Sequence, residues 1–157
     1  MSQILNEMRV VLSPKSCNEA VARSVVTAFV MQLDPTMDEL GDIKTAVSEA
    51  VTNSIVHGYR SCTGNIELVC RILDKDMLYI KVRDKGCGIA DVKQAMEPLF
   101  TTAPEEERAG LGFAVMESFM DSVSVRSAVG KGTSVVMKKR IFSTSLVRTG
   151  AAENERS

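Results

Sequence analysis

A two-layer α+β sandwich, with helices on one face of a mixed, mainly antiparallel sheet, is the fold class the sequence predicts. Short segments alternate apolar and polar residues as half-buried strands do, and longer ones repeat apolar residues every three or four positions as amphipathic helices do. The two patterns follow one another as strand, two helices, two strands, helix and two strands, with a long non-periodic segment before the last helix.

Met8, Val10 and Leu12 alternate with charged or small neighbours, which predicts a strand ending at Ser13-Pro14. Over residues 18–33, Val21, Val25, Ala28, Phe29 and Leu33 fall at helical spacing, and Asp34-Pro35 interrupts because the residue before proline avoids helical angles. Thr36, with Glu39 three residues on, predicts a capping box opening a second helix. Its stripe runs through Leu40, Ile43, Val47, Ala50, Val51 and Ser54 to a natural stop at Gly58. Ile66, Leu68, Cys70 and Ile72, then Leu78, Ile80 and Val82, predict two strands turning at Asp74-Lys75-Asp76. A third helix is expected over residues 112–120, then strands around Val123 and Val125 and over residues 134–141, with Gly130-Lys131-Gly132 as their hairpin. Residues 143–157 are small and polar and read as a frayed tail, so one domain over residues 1–142 is expected.

Composition narrows the function. The 157 residues carry 19 basic and 20 acidic side chains, a net charge of −1, which gives no global attraction to nucleic acid or anionic lipid. Aromatic residues make up 4% with no tryptophan, leaving little on which bases could stack. No apolar run approaches the ~20 residues of a membrane helix, and no basic-then-apolar leader opens the chain. Cys17, Cys62, Cys70 and Cys87 share no C-x-x-C spacing and His57 is the single histidine, so a zinc site would need an unusual set of ligands. Buried free thiols in a reducing cytoplasm are expected, in a cytoplasmic protein with no direct nucleic-acid or membrane contact.

Three motifs carry chemistry. Glu49, Asn53 and His57 at i, i+4 and i+8 line up along the second helix, bordering its apolar stripe, where a carboxylate and an amide can face an enclosed polar site. Asp84-Lys85-Gly86-Cys87-Gly88 follows a strand directly; glycines two apart let the backbone approach a flat ligand, and the aspartate can accept from an exocyclic amine. Gly110-Leu111-Gly112-Phe113 then opens a helix, where free N–H groups and the helix dipole favour an anion. Residues 97–109 between the glycine motifs read as a lid, and Glu105-Glu106-Glu107 as solvated surface. Alone, each motif is also compatible with an ordinary amphipathic helix, turn or helix start.

Taken in order, the acidic/amide helix, the strand-terminal Asp-Gly-Gly turn, the lid and the glycine-opened helix resemble the Bergerat ATP-binding fold of the GHKL group, over residues 36–139. Local wording is similar to the sporulation anti-sigma F factor (SpoIIAB) family: residues 33–40, Ser48-Glu49-Ala50-Val51-Thr52-Asn53, His57-Gly58-Tyr59, Pro98-Leu99-Phe100-Thr101-Thr102, Gly112-Phe113 and residues 116–121. The resemblance implies a homodimeric, ATP-dependent serine protein kinase that binds a sigma factor of the sigma F type and phosphorylates a STAS-domain anti-anti-sigma protein. It implies Glu49 as general base, Asn53 as Mg²⁺ ligand, Asp84 as the adenine-reading carboxylate with Gly86 and Gly88 beneath the base, and Thr133 near the adenine. Thr101 and Thr102 would contact nucleotide from the lid. Arg108, Gly110 and Gly112 would hold the phosphate end, with Arg108 acting on the transferred group, and Arg23 would contact both protein partners. Ala103 and Ala109 depart from the lysine and serine frequent in relatives, which bears on the lid's phosphate contacts. His57 is expected to pack or hydrogen-bond rather than to be phosphorylated. Two other readings share much of this site: a general-stress anti-sigma kinase with different partners, and a nucleotide-binding module without phosphoryl transfer.

Overall fold

The computed structural model describes residues 2–58, 64–89, 96 and 107–142, with the backbone alone at 57, 58 and 107–111. The chain forms β1 (Ile4–Leu12), α1 (Asn18–Val30), α2 (Met37–Asn53), β2 (Ile66–Leu73), β3 (Met77–Arg83), α3 (Glu107–Phe119), β4 (Ser122–Ala128) and β5 (Gly132–Arg140). A 3₁₀ turn, Met31–Leu33, extends α1, and a π turn, Ser54–Gly58, extends α2. The predicted capping box is present: Glu39 N donates to Thr36 Oγ1 at 3.2 Å and Thr36 N to Glu39 Oε1 at 2.9 Å.

The strands lie in the order β1-β2-β3-β5-β4. Every described pairing is antiparallel, which corrects the expectation of a mixed sheet. The reason is topological. β3 and β4 run in the same direction, but β5 turns back through the hairpin and inserts between them, so no two parallel strands become neighbours.

The three helices cover one face of this sheet, with α2 between α1 and α3. Ala22, Val26 and Val30 of α1, Ile43, Val47, Ala50 and Val51 of α2, and Phe113 and Met116 of α3 bury against Leu68, Cys70, Leu78, Ile80, Val82, Val135 and Met137. The buried row of α1 is thus not the one the spacing suggested. Val21 is 43% exposed, while Val25, Phe29 and Leu33 sit at the margin of the core. Two adjacent i, i+4 rows of this helix are apolar, and periodicity alone cannot choose between them. α3 also differs, starting at Glu107 instead of Gly112. Glu107, Arg108, Ala109 and Leu111 are good helix formers, and together they outweigh the roughly 1 kcal/mol that each glycine costs.

Burial sorts the thiols. Cys70 is fully buried, Cys17 is exposed and Cys87 is half-buried, so only one of these three matches the expected buried thiol; Cys62 and the tail, residues 143–157, lie outside the described residues. Desolvation pushes the Cys70 thiol up to about 12 from its ordinary 9.0. The unfolded chain therefore loses that proton near pH 9 while the folded chain keeps it, so this group removes stability as pH rises above 9. Iodoacetamide is expected to label Cys17 in the native protein and to reach Cys70 only in denaturant. Equal labelling rates at the two positions would show that the core opens at β2.

Candidate functional site

The site forms where α2, the loop after β3, the β4–β5 hairpin and α3 converge. Glu49 and Asn53, one helical turn apart on α2, are both partly buried, and α3 lies beside them at Gly112. A Cβ built at Gly112 would lie 3.0 Å from Glu49 Oε2 and 3.1 Å from Asn53 Nδ2. A larger residue here would push both polar side chains aside by a few tenths of an ångström, so the glycine lets them keep these positions. Three residues from two separate motifs are here brought together.

Asn53 Nδ2 is buried without a hydrogen-bond partner. Such an atom costs about 1–3 kcal/mol unless a ligand meets it, and a half-turn of the amide presents its oxygen to the same place. This fits Mg²⁺, which takes one or two protein oxygens and completes its shell with water and phosphate. Among the described residues no group of three or more His, Cys, Asp and Glu assembles, so a metal here would rely on Asn53 and on phosphate oxygens.

Asp84 is the most constrained polar group. It is 3% exposed. Its Oδ1 accepts from Gly86 N at 3.0 Å and from Thr133 N at 3.2 Å, and its Oδ2 accepts from Ser54 Oγ at 2.9 Å. A carboxylate offers about four acceptor positions, so one remains, on Oδ2. Ser54 opens the π turn that ends α2, a distortion frequent at functional sites.

The two outer glycines of the loop and hairpin are packing requirements as well. Gly88 has φ +77° and Gly132 φ +99°; a Cβ on Gly88 would lie 2.1 Å from Ala128 O, and one on Gly132 2.2 Å from Asp84 O. Backbone bonds complete the seam, Asp84 N to Thr133 O at 2.9 Å and Gly130 N to Cys87 O at 2.8 Å. Ser127 adds to it: its Oγ accepts from Ile89 N at 2.7 Å and lies 2.8 Å from Thr133 Oγ1. Ser54 and Ser127 were missed from sequence. Neither belongs to a motif, and only the fold brings them to Asp84 and Thr133.

With the buried row of α1 at Ala22, Val26 and Val30, Arg23 lies beside that row and, through Glu19, next to α2. Its side chain is 43% exposed and its Nε sits 2.6 Å from Glu19 Oε1. The same Glu19 oxygen accepts from Ser48 Oγ at 2.5 Å, so a single carboxylate ties Arg23 to the residue beside Glu49. Arg108 and Gly110 lie in the first turn of α3 with only their backbone described, as does His57 in the π turn; Thr101, Thr102 and most of the lid fall outside the described residues. Because α3 begins at Glu107, Gly110 and Gly112 sit inside the helix, not at its opening.

Two substitutions check this geometry. Gly88→Ala is expected to lower unfolding free energy by about 3 kcal/mol, because the backbone carbonyl of Ala128 cannot yield and the residue must hold positive φ. Ser54→Ala is expected to cost about 1–2 kcal/mol by removing one donor from a buried carboxylate. Urea denaturation measures both, and a Gly88→Ala protein of native stability would contradict the packing described.

The family described as histidine kinase-like ATPase domain matches residues 12–139. Among similar proteins are the anti-sigma F factor of Geobacillus kaustophilus (strain HTA426), 54% identical over 87% of this chain and 93% of its own length, and that of Clostridium novyi (strain NT), 53% identical over 88% and 96%. Among solved structures, the RsbU and RsbW domains of Rv1364c from Mycobacterium tuberculosis share the fold with a TM-score of 0.65, 17% identity, and coverage of 87% of this chain and 32% of that one. A blue-light activated histidine kinase domain from Erythrobacter litoralis does so with a TM-score of 0.53, 21% identity, and coverage of 66% and 45%. With its antiparallel sheet under three helices and near-complete overlap with these relatives, the chain belongs to the histidine kinase-like ATPase family and, within it, to the anti-sigma F factors.

Proposed function

We propose that this protein is an anti-sigma factor that captures a sporulation sigma factor of the sigma F type and, as an ATP-dependent serine kinase, phosphorylates a STAS-domain anti-anti-sigma protein. The observation that carries the kinase reading is Glu49 set against Gly112 beside Asn53. A module that only held nucleotide would have no need of a base there. In the reaction the partner's serine oxygen bonds to the γ-phosphorus, the bond from that phosphorus to the β–γ bridging oxygen breaks, ADP leaves, and the serine proton passes to Glu49. The remaining acceptor position on Asp84 receives the adenine amine, with Gly86, Gly88 and Thr133 shaping the base pocket. Arg108, Gly110, Gly112 and the lid threonines Thr101 and Thr102 serve the phosphates. Mg²⁺ held at Asn53 would offset charge on the transferred group.

The protein acts in this reading as a cytoplasmic homodimer; among the described residues no helix is long and apolar enough to cross a membrane. Relatives named anti-sigma F factor over nearly their whole length support capture of a sigma factor. The general-stress alternative shares the chemistry and differs in partners, so a panel of sigma and STAS proteins separates the two.

Glu49→Gln is expected to keep nucleotide binding and to slow transfer about 10²–10⁴-fold, since it removes the base and preserves its size. Mass spectrometry of the STAS protein after incubation with Mg-ATP reads the phosphoserine, and near-normal transfer by the variant would show that Glu49 is not the base. Asn53→Ala should weaken Mg²⁺-dependent ATP binding far more than metal-free binding; an equal loss in both would make the residue structural.

Arg23 supplies the partner contact in this reading. Because Glu19 holds it, Arg23→Glu would also set two carboxylates together, so Arg23→Ala is the cleaner variant. Losing a charged anchor of this kind typically costs ~2 kcal/mol, about thirtyfold in affinity. Isothermal titration with the sigma factor and with the STAS protein should show that loss for both, with nucleotide binding intact. Unchanged capture would move the surface elsewhere.

A further inference from the structure

The outer face of the sheet, away from the helices, divides into two electrostatically different halves. On the β1–β2 side the charges cancel locally. Glu7 pairs with Arg9 at 2.9 Å and with Arg71 at 2.5 Å, and the two guanidiniums, Arg9 first, hold its carboxyl below the usual range. Arg9 also reaches Glu67 at 4.0 Å. At the far end of the sheet Arg140 pairs with Asp76 at 3.4 Å.

The β3–β5–β4 half has no such close ion pairs among the described residues; Glu67 of β2 stands opposite Arg83 in the register but pairs with Arg9. Alternation along the strands puts Lys81 and Arg83 of β3, Ser134 and Lys138 of β5, and Ser124 and Arg126 of β4 on this face, opposite the buried Val82, Val135 and Met137. Register sets Arg83, Ser134 and Arg126 abreast, since Ser134 pairs with Arg83 on one side and with Arg126 on the other. A cleft of about 290 Å³ lies at this row, and Lys131 of the hairpin completes its basic lining. The one acid that lines it, Asp84, already accepts from Ser54, Gly86 and Thr133. Among the described residues, none of Lys81, Arg83, Arg126, Lys131 and Lys138 has a carboxylate within 4.0 Å, whereas Arg9, Arg23, Arg71, Lys139 and Arg140 all do. Five cations without a close carboxylate on one face of a chain of net charge −1 are a local concentration, not an overall basicity.

We infer that this half of the outer sheet face is a docking surface for an acidic segment of a partner protein, separate from the helical layer that carries Arg23. Arginine forks flanking a serine hydroxyl suit carboxylates, which accept from both. Nucleic acid fits less well. The one ring on this side of β3, Tyr79, already carries Arg71 5.0 Å from its centroid, and a polyanion longer than the patch would meet the acidic remainder of the molecule. A partner seated here leaves α1 uncovered, so it and a partner at Arg23 can bind at once. The proposal does not depend on the kinase reading.

The test uses the full chain and a decaglutamate peptide as probe, titrated by ¹H–¹⁵N NMR against wild type, Arg83→Ser/Arg126→Ser and Arg83→Glu/Arg126→Glu. Thermal unfolding and nucleotide binding serve as controls for folding. Shifts confined to β3, β5, β4 and the hairpin are expected, with affinity about tenfold lower in the serine pair, lower still in the glutamate pair, and falling with added salt. Unchanged affinity in the folded glutamate pair would overturn the proposal. So would tighter binding of duplex DNA or inorganic phosphate than of the peptide at the same ionic strength, or a change of oligomeric state in the variants, which would make this face the contact between two copies.

Discussion

The buried carboxylate of Asp84 is the interaction on which the rest of the site depends. It joins three separate parts of the chain: the end of α2 through Ser54, its own loop through Gly86, and β5 through Thr133. A carboxylate taken out of water is tolerated only when such donors replace the solvent. The glycines follow from this. Gly132 must lack a Cβ for β5 to approach Asp84 O, and Gly88 must lack one for the loop to close on the hairpin. The widened turn at the end of α2 belongs to the same arrangement, because Ser54, its first residue, is the donor to Oδ2.

Much of this was legible in the sequence because it is written in local signals. The Thr36–Glu39 box, the period-two strands and the hairpin glycines each depend on neighbouring residues, and each appears where the spacing puts it. Glu49, Asn53, Asp84 and Gly112 were readable as candidates because each sits in a motif. Ser54 and Ser127 were not, since their partners are 30 and 6 residues away and meet them only through the fold. The buried row of α1 and the first turn of α3 were misplaced for a related reason. Adjacent apolar rows and strong helix formers leave periodicity undecided until the sheet and the neighbouring helix select one arrangement.

The proposed partner contact at Arg23 has a physical link to the site. Glu19 shares one oxygen between the arginine and Ser48, and Ser48 precedes Glu49 on α2. A partner carboxylate drawing Arg23 away would leave Glu19 with the Ser48 hydroxyl alone, so a charge event on α1 is felt one residue from the proposed base. Rearrangement of a hydrogen bond by about 1 kcal/mol is enough to shift a two-state equilibrium about fivefold.

Where nucleotide sits decides whether Asp84, Asn53 and Glu49 form one site. A crystal structure of the chain with Mg²⁺ and a non-hydrolysable ATP analogue is the most direct measurement. The adenine amine is predicted within hydrogen-bond distance of Asp84 Oδ2, the metal on the Asn53 side-chain oxygen, and the γ-phosphate on the Glu49 side of Gly112. A nucleotide bound away from Asp84, or a metal with no contact to Asn53, would contradict that single site.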